Sequence, residues 1–215
     1  MASLKDIRKR IDSVKRTQKT TSAMKMVSAA KLRRSEDNIR EATPYAVKLK
    51  SVVSSLSTRF DGVEQDTGFG RLFRSSGGKR TGVILVTSDR GLCGGFNASL
   101  SKALARQLNE EGVECAEMVI LGRKGNDFYK RTNHTILENH TGTHPEEQLG
   151  LVRDIVSEFT KRFEANELDQ VILAYNHFVS VMTQEPVIEQ LLPIKAPEAE
   201  SADEREIIFE PSPED

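Results

Sequence analysis

The residues best placed to do chemistry fall in one glycine-rich run, Thr87-Ser88-Asp89-Arg90-Gly91-Leu92-Cys93-Gly94-Gly95-Phe96-Asn97. It stands between an apolar strand and a helix, where a doubly wound fold binds phosphate against a helix N-terminus. Gly91, Gly94 and Gly95 fit neither G-x-G-x-x-G nor a P-loop, no Gly-Lys-Ser/Thr is present, and no acidic residue closes the second strand to hold a ribose. The preferred reading is a tight turn that needs positive φ and close backbone approach. Cys93 precedes a helix, where a nucleophilic thiol would be activated, but no histidine base adjoins it in the sequence. The expectation is a small buried thiol. Cys93 and Cys115 have no metal-type spacing and are too few for a disulfide framework, so both are read as free thiols. His134, His140, His144 and His177 lie in or near polar loop sequence. His140 and His144 would suit a metal only on a helix, which Gly142 and Pro145 oppose. No catalytic residue, cofactor or metal is assigned.

The elements that would hold this run follow βαβ grammar. Gly82 to Thr87 and Met118 to Leu121 are short apolar strands of the kind buried on both faces. Leu100, Ala103, Leu104 and Leu108 line one helix, and Val152, Ile155, Val156, Phe159 and Phe163 another. Thr135 to Leu137 and Val171 to Tyr175 complete the strands. Phe178 to Met182 and Pro186 to Leu192 are too close for a helical crossover, so they read as an antiparallel hairpin at the sheet edge. The fold class expected is α/β, with a Rossmann-like, mostly parallel sheet over 81–210. A Gly- and Ser-rich linker covers 61–80.

Residues 1–60 are different. Ser3 is an N-cap, with Asp6 in the first turn, and Leu4, Ile7, Ile11, Val14, Thr17, Thr21, Met24 and Val27 recur every three or four residues. No glycine occurs before Gly62, and Pro44 is the sole proline there, so one helix is expected from about residue 4 to about 58, with a kink near Pro44. At ~1.5 Å per residue it is roughly 80 Å long and must project from any domain of this size. A narrow apolar stripe on a charged surface is a coiled-coil seam, which calls for a second helix.

Charge is segregated. Residues 1–34 carry eleven Lys and Arg against two Asp, and residues 196–215 eight acidic residues against Arg205. The basic head implies an anionic partner. Nucleic acid is disfavoured: no aromatic residue precedes Tyr45, and the apolar stripe runs through the basic segment itself. No run approaches the ~18 to 20 apolar residues of a membrane span, so no direct membrane insertion is expected. At the other end, Ser212-Pro213-Glu214-Asp215 reads as the N-cap and acidic first turn of a helix.

Several of these stretches together resemble the γ subunit of F-type ATP synthase. They are Ile7-Arg8, Thr17-Gln18-Lys19, Ala23 to Val27, Ala29-Ala30-Lys31, Pro44-Tyr45, Thr87 to Asn97, Gly122 to Gly125, Tyr175-Asn176, Gln190 to Pro193 and Phe209-Glu210-Pro211. The resemblance covers essentially the whole chain. It implies a non-catalytic central-stalk rotor that couples c-ring rotation to catalysis in the α/β hexamer, with the α, β and ε subunits and the c-ring as partners. It also implies a long C-terminal helix antiparallel to the first. The expectation is therefore a fragment or truncation in which 211–215 start that helix. By the same resemblance Met24, Lys25, Val27, Lys31, Arg33 and Arg34 contact β, and Ile207 and Phe209 contact ε or the c-ring. Leu4, Ile7, Ile11, Val14, Thr17 and Thr21 form the seam. The expected location is the cytoplasmic face of a bacterial cell membrane, as a peripheral protein, since no transit peptide is visible. The competing readings are a Rossmann-like nucleotide-binding enzyme with a helical extension and a nucleic-acid-binding adaptor.

Overall fold

The computed structural model describes residues 3–57 and 70–194. The chain divides into two compact units, Met1–Ser55 and Leu56–Asp215. The first is a single helix, α1 (Leu4–Ser57), which continues without interruption through Pro44. Its start is closed reciprocally: the Ser3 hydroxyl accepts from the Lys5 N–H at 3.4 Å, and the Asp6 carboxylate accepts from the Ser3 N–H at 3.3 Å.

Among its described residues the second unit has five strands and three α-helices: β1 (Thr81–Val86), α2 (Phe96–Glu110), β2 (Ala116–Leu121), α3 (Arg123–Tyr129), β3 (Thr135–His140), α4 (Pro145–Glu164), β4 (Gln170–Phe178) and β5 (Gln184–Leu192). The sheet order is β3-β2-β1-β4-β5, parallel except for β5, which runs antiparallel to β4. The chain steps outward from β1 to β3 through α2 and α3, then returns past β1 to β4 through α4. Reversing direction puts α4 on the opposite face, because crossovers keep one hand. Two cores result. Val83 and Leu85 of β1 meet Leu100, Leu104 and Leu108 of α2 and Tyr129 of α3, whereas Ile84 meets Ile155, Phe159 and Phe163 of α4. Gly82 is required for this packing, since a Cβ there would stand 2.7 Å from the Phe159 ring. α4 starts after His144, with Glu146 and Glu147 in its first turn and Lys161 and Arg162 in its last, the charge order that suits the helix dipole.

Three elements of the fold depart from the sequence expectations. Residues 61–69 of the expected linker lie outside the described residues, but Gly70–Phe73 form a 3-10 turn fixed to the second unit by the Ile194 N–H donating to the Leu72 carbonyl at 2.7 Å. Just beyond it, the Asp169 carboxylate accepts from Ser76 Oγ and from the Arg80 side chain and backbone at 2.6–2.9 Å. Second, α3 was not anticipated, because seven residues containing Gly125 carry no readable helical period. Third, Val179–Met182 is not a strand. β4 itself is the first arm of the hairpin, and Ser180 and Thr183 close the turn through paired backbone bonds of 2.9–3.2 Å. His140 ends β3 and His177 is the penultimate residue of β4, so both adjoin loops as expected. Ile207, Phe209 and residues 211–215 lie outside the described residues.

Candidate functional site

The glycine-rich run connects β1 to α2 at the carboxyl ends of β1 and β4, where the sheet order reverses and a doubly wound fold would bind its ligand. Its polar groups are instead turned on one another. Asn97 Oδ1 accepts from the Ser88 N–H at 3.0 Å, and Asn97 Nδ2 donates to Ser88 Oγ at 2.8 Å and to Cys93 Sγ at 3.1 Å. Ser88 Oγ donates onward to the Arg90 carbonyl at 2.7 Å. Asp89 accepts from the Arg123 N–H at 3.0 Å and from the Gly142 N–H at 2.8 Å, so one carboxylate ties the β1–α2, β2–α3 and β3–α4 connections together. Thr87 Oγ1 accepts from the Gly125 N–H at 2.9 Å. Gly122, at φ 107°, lies against the Thr87 carbonyl with no room for a Cβ. Asn176 Nδ2 donates to the Phe96 carbonyl at 3.1 Å, joining β4 to the start of α2. The run is a junction of loops.

One expectation about it is corrected, and the expected positive φ is found. Cys93 is exposed rather than buried, because its side chain lies along the outside of the turn. Its hydrogen-bond partners are Asn97, Ser88 and the Arg90 carbonyl, none of them a base. Positive φ occurs at Gly94 and at Leu92, a non-glycine held at 65°, whereas Gly95 is right-handed helical. Leu92 is fully exposed at the tip. What the sequence reading missed were the roles of Asp89, whose partners are 34 and 53 residues away and leave no local signal, and of Asn97, which bonds back to Ser88 and Cys93 within the run.

The histidines have separate structural roles. His134 Nδ1 accepts from the Ala116 N–H at 3.0 Å beside the Tyr129 ring, and burial lowers its pKa. His140 Nε2 pairs with Glu138 at 2.7 Å. Burial also raises the pKa of Tyr129, whose hydroxyl donates to the Ser101 carbonyl at 3.0 Å. The Arg80 guanidinium holds the Asp169 carboxyl well below the usual carboxylate range. Among the described residues no group of three or more His, Cys, Asp or Glu is arranged to hold a metal ion.

The other candidate site is the surface of α1. Leu4, Ile7, Ile11, Val14, Thr17, Thr21, Met24 and Val27 are all exposed, as are Lys25, Lys31, Arg33 and Arg34. Thr17 and Thr21 donate their hydroxyls to the Ser13 and Thr17 carbonyls at 3.0 and 2.9 Å, which satisfies the oxygen within the helix. These residues therefore suit an apolar line. The stripe also extends beyond Val27. Leu4, Ile11, Leu32, Ile39, Ala46 and Val53 share one seven-residue frame, joined by Ile7, Val14, Ala42 and Leu49. Sequence reasoning missed its second half, although the seven-residue spacing was available. Because 3.6 residues per turn drift ~20° per heptad, this frame stays on one line only if the helix supercoils left-handed around another. Lys25 lies within the frame. Lys31 and Arg34 follow Met24 and Val27 by seven residues each, so they continue that local line.

A long basic helix with an exposed apolar line, attached to an α/β unit whose glycine-rich run ties its own loops together, has the build of a helix-pairing structural subunit. Residues 3–215 match the ATP synthase family. The ATP synthase gamma chain of Pelotomaculum thermopropionicum is 38% identical over 213 residues, covering 99% of this chain and 73% of that one. The ATP synthase gamma chain of Geotalea uraniireducens is 45% identical over 216 residues with the same coverage. Among solved structures, a chain of the central stalk and c-ring of the Tetrahymena thermophila mitochondrial ATP synthase superposes with a TM-score of 0.58 at 25% identity, covering 81% of this chain and 72% of that one. The chain belongs to the ATP synthase gamma-chain family. Its function is that of the family: a rotor subunit without bond chemistry of its own, peripheral within a membrane-bound complex.

Proposed function

We propose that α1 is one half of the rotor shaft and that the α/β unit is its foot. The shaft turns inside the hexamer of α and β subunits, while the foot engages ε and the c-ring on the cytoplasmic face of a bacterial membrane. The observation that carries this is the heptad frame of α1, running from Leu4 to Val53 in a helix of 54 residues, exposed at most of its apolar positions and half-buried at Leu32 and Val53. A stripe of that length is costly in water and is relieved by a second, antiparallel helix. We assign Leu4, Ile7, Ile11, Val14, Thr17 and Thr21 to that seam, and place residues 211–215 at the start of a helix able to pair with it. Met24, Lys25, Val27, Lys31, Arg33 and Arg34 then meet β, where cationic side chains suit acidic loops and slide without locking. Ile207 and Phe209 are assigned to the ε and c-ring contact. Residues 1–60, 61–80 and 81–210 act as shaft, connection and foot.

The test is reconstitution of the assembled complex with rotation followed on single molecules. Ile11→Asp with Val14→Asp should leave the foot folded and prevent a stable shaft, so torque is lost. Lys31→Glu with Arg33→Glu should slow rotation without blocking assembly. Full torque from the seam variant would refute the shaft assignment. Saturable nucleotide binding by the chain, abolished by Gly94→Val, would favour the enzyme reading instead.

A further inference from the structure

The two faces of the sheet are covered unequally. Among the described residues α2 and α3 pack on one, and on the other α4 is joined only by the short 70–73 turn and the end of β5, through Leu72, Leu192 and Ile194. Beside α4 lies a groove of about 700 Å³ over β2 and β3. Its floor presents Leu137, 43% exposed, and the half-buried Leu151 above the buried Val119, Ile155 and Phe159, so Leu137 stands uncovered on a sheet face that a helix normally covers. The rim carries Glu117, Glu138, Asp154 and Glu158 against Arg162 and His140. Both of these are already engaged: Arg162 by Glu117 at 2.6 Å and Glu167 at 3.0 Å, His140 by Glu138 at 2.7 Å. Asp154 and Glu158 stand four residues apart on α4, mutually repelling, and neither has an ion-pair partner among the described residues.

We propose that this groove is a docking site for a basic amphipathic helix of a partner polypeptide. An apolar floor with an uncompensated acidic rim fits a helix with an apolar face and Lys or Arg along its flank. Helix rather than strand follows from the shape. A strand added to the β3 edge would leave the floor exposed, whereas a helix beside α4 completes the missing layer. From Leu151 to Arg162 the groove follows about three turns of α4, roughly 17 Å, which sets the minimum length of the occupant. The chain's own residues 196–215 are excluded by charge, with eight acidic residues against one arginine. This assignment does not depend on the rotor reading of α1.

The experiment is fluorescence anisotropy with the full chain and a labelled synthetic Leu/Lys amphipathic helical peptide of about 18 residues. The expected result is saturable micromolar binding that weakens with salt. Asp154→Lys with Glu158→Lys should weaken it about tenfold or more, and Leu137→Ser by several-fold. Arg153→Glu, on the solvent side of α4, should leave binding at least as tight. Circular dichroism spectra and melting curves matching the parent chain establish that each variant is folded. Loss of amide exchange at the Leu151–Arg162 turns of α4 on peptide addition would place the peptide in the groove. The proposal is overturned if binding is absent, if the folded charge-reversed variant binds equally well, or if the chain alone self-associates through the groove. In that last case the occupant is a second copy.

Discussion

The two units solve opposite problems with the same amino acids. In the α/β unit Leu100, Leu104 and Leu108 recur at helical spacing and are wholly buried, because a sheet lies opposite. In α1 Leu4, Ile7, Ile11 and Val14 recur at the same spacing and are all exposed, because no element of that unit faces them. The α/β unit carries its own reason to be folded, and α1 does not. It is a helix whose stability must come from what it pairs with, since helical propensity alone is a weak force. On the proposed assignment this division is useful: a foot with its own core can stay folded, whereas the shaft stiffens once it is paired.

The sharpest way to break that comparison is to cut into each unit equally. Phe159→Ala should destabilise the α/β unit by about 3–5 kcal/mol in denaturant titrations, because the ring fills the space between α4 and Gly82. Ile11→Ala should move the same curve by no more than ~0.5 kcal/mol in the isolated chain, and much more after the helix is paired. Equal costs in the isolated chain would mean that α1 already has a partner.

Asp169→Asn should cost about 1–3 kcal/mol, since the buried carboxylate takes hydrogen bonds from Arg80 and Ser76. The sign with pH follows from its lowered pKa. The stabilisation is complete above the ordinary aspartate range of about 4 and is lost as pH falls toward the folded-state value. Urea midpoints between pH 7 and 2 should show that loss in the parent chain and much less of it in the variant.

A smaller effect is expected from His134, whose folded pKa is lowered by burial. The neutral ring is the form that accepts from the Ala116 N–H, so stability present above about pH 6.5 should decline as pH falls below it. A His134→Asn chain should show no such step in thermal melts between pH 7 and 5. The smallest effect belongs to Thr17→Val with Thr21→Val. Their hydroxyls already bond within the helix, so the melting temperature of the isolated chain should scarcely change while assembly tightens. Weaker assembly would remove both residues from the seam.

Much of this was legible in advance, for identifiable reasons. Apolar periodicity reports which side of an element avoids water, so α1, α2, α4 and the buried strands could be read directly. The hairpin was misplaced because Val179, Val181 and Met182 have strand-like side chains, and only the bonds between Ser180 and Thr183 make them a turn. Cys93 was expected inside because cysteine behaves as a small hydrophobe; its place on the outer side of a loop has no composition signal.

The sequence by itself determined the long helix, its basic charge and its heptad frame, because these depend on residues within a few turns of one another. It also determined that the glycine-rich run lacks the spacing of a phosphate loop. Only the tertiary structure decided what that run does instead. The pairing of Asp89 with Arg123 and Gly142, and of Asn97 with Ser88, depends on where the chain returns in space. The same holds for the acidic groove beside α4, whose rim is drawn from β2, β3 and α4 and so is invisible to any one segment.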